Sequence, residues 1–303
     1  MSDGKVLLTG AQGQLGSTFS NFFERSELSK KYKLESIDIE HIDFTNEESI
    51  IASLSFHNPS TIINCGAYTS VDKAEEEYEL ASKINNSAIA TIAKWAKENG
   101  CRVVHISTDF VFDGYKKTPY KPDDITNPLG VYGETKLNGE RHILNLLPKN
   151  GIIVRTSWLY SAFGKNFVKT MLNLMSEREE LNVVNDQIGS PTSAHSLTKI
   201  LFKIIENKKA AGIFHWCDGA SISWYDFAIE IQRQAVDQGL LVKKIPIKKT
   251  FTNNYPTAAE RPAYSVLDCE TTRNEFGVEE VDWRQELNEV ITLIARRVKI
   301  CNG

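Results

Sequence analysis

The sequence predicts an α/β protein built on a doubly wound parallel sheet, with a smaller lobe formed by the C-terminal half. Short β-rich apolar runs recur through the first half of the chain, and segments with helical spacing of apolar residues separate them. The 303 residues are 41% apolar and 24% charged, the composition of a globular protein with a sizeable core. Strands that alternate with helices indicate βαβ crossovers, which build a parallel sheet covered on both faces.

The elements of this sheet are expected in chain order. A first strand over 5–9 is closed by a glycine, and helical periodicity starts within the next turn at Leu15. The clearest amphipathic helix is expected over 75–99. The further strands are expected over 33–38, 60–64, 102–107 and 151–157.

The alternation of strands and helices loosens after residue 157. We therefore expect one sheet domain over 1–157 and a lobe over 158–303, with some segments of the lobe returning to the sheet. Four helices and two short strands are expected here, over 165–178, 182–184, 195–207, 212–216, 223–237 and 284–299.

Charge and cysteine content exclude several classes of protein. With 35 Lys and Arg against 39 Asp and Glu, the net charge of −4 does not favour binding to nucleic acid or to an anionic membrane. No run approaches the roughly 18 apolar residues of a membrane span, and the N-terminal Met1-Ser2-Asp3 leads too quickly into the first strand for a signal peptide. Five cysteines without Cys-x-x-Cys spacing favour a reducing, cytoplasmic setting.

Three glycines follow the first strand with the spacing Gly10-x-x-Gly13-x-x-Gly16 and lead into a helix. Glycines here let the backbone approach a pyrophosphate, whose charge is stabilised by the helix N-terminus. About 20 residues beyond the last glycine stands Asp38, at the end of the second strand, where a ribose-binding acid belongs. The pattern predicts a dinucleotide site.

Tyr132 and Lys136 form a Tyr-x-x-x-Lys pair, which lies on one face of a helix. A neighbouring cation favours phenolate, so Lys136 is expected to lower the pKa of Tyr132 toward a useful range for acid–base chemistry. Thr108 and Asp109 stand at the end of a predicted strand 24 residues earlier, where sheet enzymes present catalytic groups.

Six ordered blocks together resemble the dTDP-4-dehydrorhamnose reductase family of the extended short-chain dehydrogenase/reductase superfamily. The resemblance implies a Rossmann-like fold and an NAD(P)H-dependent reduction of the C4 ketone of dTDP-4-dehydro-L-rhamnose to dTDP-L-rhamnose, with a homodimer possible. The blocks are INCGAYTSVDKAE (63–75), HISTDFVFDG (105–114), PLGVYGETKLNGE (128–140), RTSWLY (155–160), NDQIGSPT (185–192) and YPTAAERP (255–262).

The resemblance also assigns roles to residues. Tyr132 would donate a proton to the sugar carbonyl oxygen, Thr108 would hydrogen-bond that oxygen, and Lys136 would bind the nicotinamide ribose. The residues expected to bind the substrate are Thr108, Asp109, Trp158 and Arg261, with the arginine on the diphosphate. The residues expected to bind the cofactor are Gly10, Gln12, Gly13, Gln14, Leu15, Gly16, Asp38, Asp43, Phe44, Ala67, Tyr68, Thr69, Tyr132 and Lys136.

The expected cofactor is NADH or NADPH, with NADH used at least as well. Asp38 would repel a 2′-phosphate, and the following residues 39–42 supply no Arg or Lys to compensate. No metal is expected, because the six histidines lack ligand spacing and Thr18 stands where the family can carry a ligating acid. Each histidine, including His105 in its apolar strand, is predicted to be structural.

Two other functions and one residue role stay open. A dehydratase or epimerase of the same fold is a sibling possibility, but Asp109 is followed by Phe110 and not by the glutamate of dehydratases. A non-catalytic regulatory subunit is a second possibility, against which Trp158 and the 185–192 block argue. Asn85 either matches a functional position of the superfamily or is a buried residue that bonds a neighbouring turn.

Overall fold

The computed structural model describes residues 4–301, with side chains through Arg297. Two terminal segments, 1–3 and 302–303, lie outside the described residues. The first of them belongs to the segment from which the absence of a signal peptide is predicted. Within residues 4–301, no helix has the length and apolar character needed to cross a membrane.

Six of the strands in residues 4–301 form one parallel sheet in the order β10-β5-β4-β3-β1-β2. The predicted α/β class with a parallel sheet is therefore confirmed. The strands are β1 Gly4–Thr9, β2 Tyr32–Ile37, β3 Thr61–Asn64, β4 Arg102–Thr108, β5 Gly151–Thr156, β6 Leu159–Tyr160, β7 Leu181–Val184, β8 Ile188–Gly189, β9 Thr192–Ser193, β10 Gly212–His215, β11 Ile222–Ser223 and β12 Ile247–Thr250.

Helices cover both faces of this sheet. One face carries α1 and α9, and the other carries α3, α6 and α7. The helices are α1 Gln14–Phe23, α2 Leu28–Lys31, α3 Glu47–His57, α4 Val71–Ala74, α5 Tyr78–Ser82, α6 Ala88–Glu98, α7 Val131–Leu146, α8 Phe167–Glu177, α9 Ala194–Glu206, α10 Trp224–Asp237, α11 Glu270–Phe276 and α12 Trp283–Cys301.

Segments after residue 157 divide between two packing environments. β10 extends the sheet beside β5, and α9 packs with α1 on one sheet face through apolar residues such as Leu197 and Phe19. α8, α10 and α12 instead share a second apolar cluster that includes Phe227 and Leu287. The division of the chain at residue 157 stays a prediction.

The segment predicted as one helix over 75–99 is interrupted, so that prediction is wrong in this detail. A five-residue π-helical stretch, Lys83–Ser87, separates α5 from α6. Asn85 in this stretch is buried and bonds the turn after β3, through Tyr68 N at 2.9 Å and Tyr68 O at 3.0 Å. A π-helical turn contains one residue more than a regular α-helical turn. Here this turn holds Asn85, whose side-chain amide bonds the loop at Tyr68.

The strand order changes direction beside β1, since β2 follows on one side and β3, β4, β5 and β10 lie on the other. Sheets of this kind take up ligands in the crevice at the carboxyl ends of the strands where the order reverses. At this point Gly10 has a φ of +67°, and a Cβ there would lie 2.7 Å from Gly66 N. Only glycine lets the ends of β1 and β3 approach so closely.

Candidate active site

The glycine-rich turn leads into an open helix N-terminus. Gly13 is the N-cap of α1, no side chain caps the helix, and its first turn holds no acidic residue. The first N–H groups of such a helix suit an anion. The side chain of Leu15, one of the predicted cofactor residues, is instead buried in the core, so only its backbone can serve a ligand.

Gln14 joins this turn to a loop of the C-terminal half. Its Oε1 accepts hydrogen bonds from Asn166 Nδ2 at 2.9 Å and from Ser161 Oγ at 3.3 Å. Gly164 lies against the same side chain, because a Cβ there would be 3.0 Å from Gln14 Cγ. The side chain of Gln14 is therefore used to hold two parts of the protein together.

A cavity of about 350 Å³ lies beside the glycine turn. Asp38 accepts a hydrogen bond from Gln12 N at 2.7 Å, and Gln12 Nε2 lies 3.1 Å from a carboxylate oxygen of Glu40. Both carboxylates line the cavity, together with Phe163 from the C-terminal half. This wall is acidic at the place where an adenosine ribose is predicted.

The other predicted residues on the adenine side have protein partners. Asp43 accepts hydrogen bonds from Thr45 N at 2.8 Å and Thr45 Oγ1 at 2.7 Å, and these bonds hold the pKa of Asp43 below its usual value. Phe44 packs against Gly66, where a Cβ would lie 2.8 Å from the ring. Phe44 therefore borders the crevice beside β3.

The predicted residues Ala67, Tyr68 and Thr69 form the turn after β3 that Asn85 bonds. The geometry fits the turn-bonding interpretation of Asn85, whose Nδ2 also reaches Thr135 Oγ1 at 3.2 Å. The phenol of Tyr68 donates to Glu77 Oε2 at 2.5 Å, and this bond raises the pKa of Tyr68 to about 12.

Thr108, Asp109 and Tyr132 come together where β4 ends and α7 begins. Thr108 Oγ1 accepts from Phe110 N at 3.2 Å and donates to Asp109 Oδ1 at 3.1 Å. The rings of Phe110 and Tyr132 meet edge to face at 5.7 Å. The structure thus joins three of the predicted site residues, although 24 residues of sequence separate Thr108 from Tyr132.

The predicted lowering of the Tyr132 pKa is wrong for this structure. Burial raises the pKa of Tyr132 to about 12, and the Asp109 carboxylate adds to this, while the hydrogen bond with Thr108 opposes it. Burial disfavours the charged phenolate, and here it outweighs the opposing influence of Thr108. Tyr132 is therefore a protonated phenol at neutral pH.

Lys136 is buried beneath the end of β4. Its Nζ donates to Ile106 O at 2.7 Å and lies 3.2 Å from His105 Nε2. Burial lowers the pKa of Lys136 to about 8, and the nearby Glu140 and Cys65 oppose this shift.

Asp109 carries an unsatisfied acceptor. The carboxyl group is buried, which raises the pKa of Asp109 to about 6, while the hydrogen bond from Thr108 and the nearby Ser265 hydroxyl oppose the shift. Among the residues that the structure describes, Asp109 Oδ2 has no hydrogen-bond partner. A buried acceptor of this kind gains free energy when a ligand hydroxyl reaches it.

Trp158 and Arg261 both have protein partners. Trp158, at a φ of +47°, stacks on Trp224 with 3.5 Å between ring centroids, so one face of the indole is covered. Arg261 forms a bidentate pair with Asp72, with Nη–Oδ distances of 2.7 and 3.0 Å. A diphosphate would have to compete with Asp72 for this guanidinium.

Three residues around the site were not considered in the sequence analysis, Asp72, Trp224 and Ser265, and a fourth, His105, was predicted to be only structural. One signal was present for His105, because His105 and Ser107 alternate on β4 while Lys136 and Glu140 are four apart on α7. Side chains two apart on a strand share a face, as do those four apart on a helix. His105 contacts Lys136, and Ser107 donates to Glu140 at 2.5 Å.

Within the described side chains, no group of three or more His, Cys, Asp or Glu residues is placed to hold a metal ion.

The fold and the site define a class of protein: a Rossmann-like dinucleotide-binding protein with the Tyr-x-x-x-Lys pair of short-chain reductases. A family model described as RmlD substrate binding domain matches residues 4–296. The chain belongs to this family, that of the dTDP-4-dehydrorhamnose reductases, and the family prediction is confirmed.

Individual relatives agree over nearly the full length. The dTDP-4-dehydrorhamnose reductase of Aggregatibacter actinomycetemcomitans is 40% identical, over 94% of this chain and 98% of the relative. A crystal structure of such a reductase from Clostridium acetobutylicum is similar with a TM-score of 0.88 and 39% identity, over 96% of this chain and 99% of that one. The Bacillus anthracis reductase in complex with NADP has a TM-score of 0.88 and 34% identity, with the same coverage.

Proposed function

We propose that this protein reduces the C4 ketone of dTDP-4-dehydro-L-rhamnose to dTDP-L-rhamnose, with Tyr132 as the proton donor. The observation that carries the proposal is the partly buried, protonated phenol of Tyr132 beside Thr108, at the end of β4. The names of the relatives support the substrate, and the complex of one relative with NADP supports a nicotinamide cofactor.

A bound nicotinamide cofactor would supply a hydride to the carbonyl carbon, and residues of this chain would supply the proton to the carbonyl oxygen. Addition of hydride leaves an alkoxide, a far stronger base than a phenolate, so transfer of the Tyr132 proton to it is favourable even at a raised phenol pKa. Thr108 Oγ1 would become a second hydrogen-bond donor to the same oxygen once its single proton turns away from Asp109 Oδ1. Reduction needs the phenol form, which burial of Tyr132 maintains.

We assign the dinucleotide to the crevice beside β1. The N–H groups at the start of α1 would bind the pyrophosphate, Asp38 the adenosine ribose and Lys136 the nicotinamide ribose. The shape of the Gly10 turn and the uncapped start of α1 support this placement. The unpartnered oxygen of Asp109 would accept a hydroxyl of the sugar.

An assay of the purified protein tests the proposal. The protein is incubated with NADH or NADPH and the dTDP-4-keto-6-deoxy-L-sugar, and NMR determines the configuration of the product at C4. Formation of dTDP-L-rhamnose is expected. Cofactor binding without turnover of any dTDP-keto sugar would instead favour a regulatory subunit, and inverted configuration without net oxidation of cofactor would favour an epimerase. Light scattering on the same sample determines whether the protein is a homodimer.

NADH is expected to serve at least as well as NADPH in kcat/KM. The 2′-phosphate of NADPH would lie against the cavity wall that carries the Asp38 and Glu40 carboxylates, and these negative charges would repel it. Initial rates with both cofactors measure the preference. Asp38→Asn should improve NADPH relative to NADH, and a strong wild-type preference for NADPH would contradict the placement of the ribose at Asp38.

Arg261→Ala is expected to raise KM for the dTDP-sugar by about ten- to a hundredfold, the equivalent of one charge-assisted hydrogen bond. NADH affinity should not change. Because Asp72 competes for the guanidinium, Asp72→Asn should leave KM for the sugar equal or lower. Arg141→Ala, which removes an exposed guanidinium bonded to Asn138, is the control. Unchanged KM in Arg261→Ala would remove Arg261 from the substrate site.

A further inference from the structure

Three polar side chains cross the apolar interior of the sheet in one row. Thr9, Asn64 and His105 are directly opposite one another on β1, β3 and β4. Thr9 Oγ1 and Asn64 Oδ1 are 2.6 Å apart, and Asn64 Nδ2 and His105 Nδ1 are 2.9 Å apart. The row ends on α7, at Lys136 Nζ, 3.2 Å from His105 Nε2.

Every member of this row is buried, with at most 2% of its surface exposed. The row next to it consists of Leu8, Ile63 and Val104, which shows that these strands readily carry apolar side chains in the core. Burial of polar groups costs free energy unless each finds a partner. The only charged group that this row contacts is the ammonium of Lys136, among the residues that the structure describes.

The ammonium of Lys136 determines which nitrogen of His105 carries the ring proton, and through it the orientation of the Asn64 amide. An ammonium can only donate, so Nε2 of a neutral His105 must accept from Lys136 and the ring proton must lie on Nδ1. Nδ1–H then donates to the amide oxygen of Asn64, with the amide nitrogen directed at Thr9, since the two ends of an amide are interchangeable by rotation. Burial and the adjacent Lys136 both lower the pKa of His105 and keep the ring neutral.

An ammonium has three N–H donors. Ile106 O accepts one from Lys136 at 2.7 Å, and His105 Nε2 accepts a second. Two acceptors held by a rigid strand determine the direction of the third N–H. With one acceptor alone, the ammonium could rotate and shift on its flexible stem.

We propose that His105 is a positioning residue: through its Nε2 it orients Lys136 so that the free N–H of the ammonium reaches the hydroxyls of the nicotinamide ribose. The proposal rests on the role of Lys136 given under the proposed function. It reverses the prediction that His105 is only structural. Among the side chains that the structure describes, His105 on β4, Glu140 on α7 and Cys65 after β3 are ionisable groups near Lys136, and of these three His105 accepts a hydrogen bond from it.

Two substitutions distinguish the roles of the two ring nitrogens of His105. In His105→Gln, the amide oxygen can occupy the position of Nε2 and keep an acceptor for Lys136. In His105→Asn, the shorter amide can reach only the position of Nδ1, so Asn64 keeps a partner and Lys136 loses one. We expect the Kd for NADH, measured by fluorescence, to rise by about tenfold or more in His105→Asn and by less than about threefold in His105→Gln.

Adenosine diphosphate serves as the control ligand, because it has the adenosine and the two phosphates but no nicotinamide ribose. Its Kd is expected to be the same in both variants and in the wild type. A general loss of structure in the cofactor site would weaken both ligands together. If His105→Asn does not fold, His105→Leu replaces it, since it removes the same acceptor and suits apolar surroundings.

Each outcome decides the proposal. Selective weakening of NADH in His105→Asn, with rescue in His105→Gln, supports it. Equal NADH affinity in the two variants, or parallel loss of NADH and adenosine diphosphate, would show that His105 is structural. Absence of NADH binding in the wild type would overturn the proposed function itself, and with it the role of His105.

Discussion

Tyr132→Phe is expected to lower kcat by about 10²–10⁴, the range that loss of a general acid produces. The substitution removes one hydroxyl and keeps the ring, which meets Phe110 edge to face. The free energy of unfolding and the Kd for NADH should therefore stay close to their wild-type values. Steady-state turnover, thermal unfolding and NADH binding measure the three quantities.

A matched control for this substitution is Tyr115→Phe. Tyr115 is exposed, and removal of its hydroxyl should leave kcat unchanged. A Tyr132→Phe variant that keeps more than half of the wild-type kcat would eliminate Tyr132 as the proton donor. The sugar would then have to receive its proton from another group near C4, and Asp109 would be the first to test.

Arg155→Met is expected to lower the free energy of unfolding by about 3–5 kcal/mol, because it leaves a buried carboxylate without its counter-ion. Arg155 binds Glu140 through Nε at 2.9 Å and Nη2 at 2.7 Å, and the two side chains are only 2% and 1% exposed. The guanidinium also lies 5.1 Å from the ring centroid of Phe112. Urea unfolding measures the loss.

Arg233→Met is the matched control, since Arg233 is 49% exposed and pairs with Glu230 and Asp237 along one helix. Surface pairs of this kind contribute at most about 1 kcal/mol. The double substitution Arg155→Met with Glu140→Leu should recover a large part of the loss, because no charge is then left buried. A loss under about 1 kcal/mol in Arg155→Met would contradict the prediction, because the buried pair would then contribute no more than a surface pair.

The strands of the sheet were predictable within one or two residues. Parallel strands with both faces covered are rich in apolar residues, as β1 and β3 are here, and Gly10 marks the end of β1. The helix over 75–99 was predicted as continuous because its apolar spacing is regular. The π-turn at Lys83–Ser87 could not be predicted, since it depends on contacts of Asn85 with the distant turn at Tyr68.

Site residues close in sequence were predictable as pairs. Tyr132 and Lys136 share a helix face by spacing alone, and the glycine turn is a local signal. Contacts between residues that are distant in sequence were not predictable. Examples are Arg261 with Asp72, Trp158 with Trp224 and Gln14 with Asn166. No local rule relates such residues, because their contact depends on how the packed segments meet.

The sequence by itself determined the parallel α/β fold, the glycine turn, the Tyr132–Lys136 pair and membership of the reductase family. Those features depend on local backbone preferences and on spacing along one strand or helix. Only the tertiary structure decided the direction of the Tyr132 pKa and the partner of Lys136, since both depend on what surrounds a side chain. Burial raises the pKa of Tyr132 more than Thr108 lowers it. The packing of α7 on β4 brings Lys136 against His105; the spacings within each element show which side chains share a face, but not which faces meet.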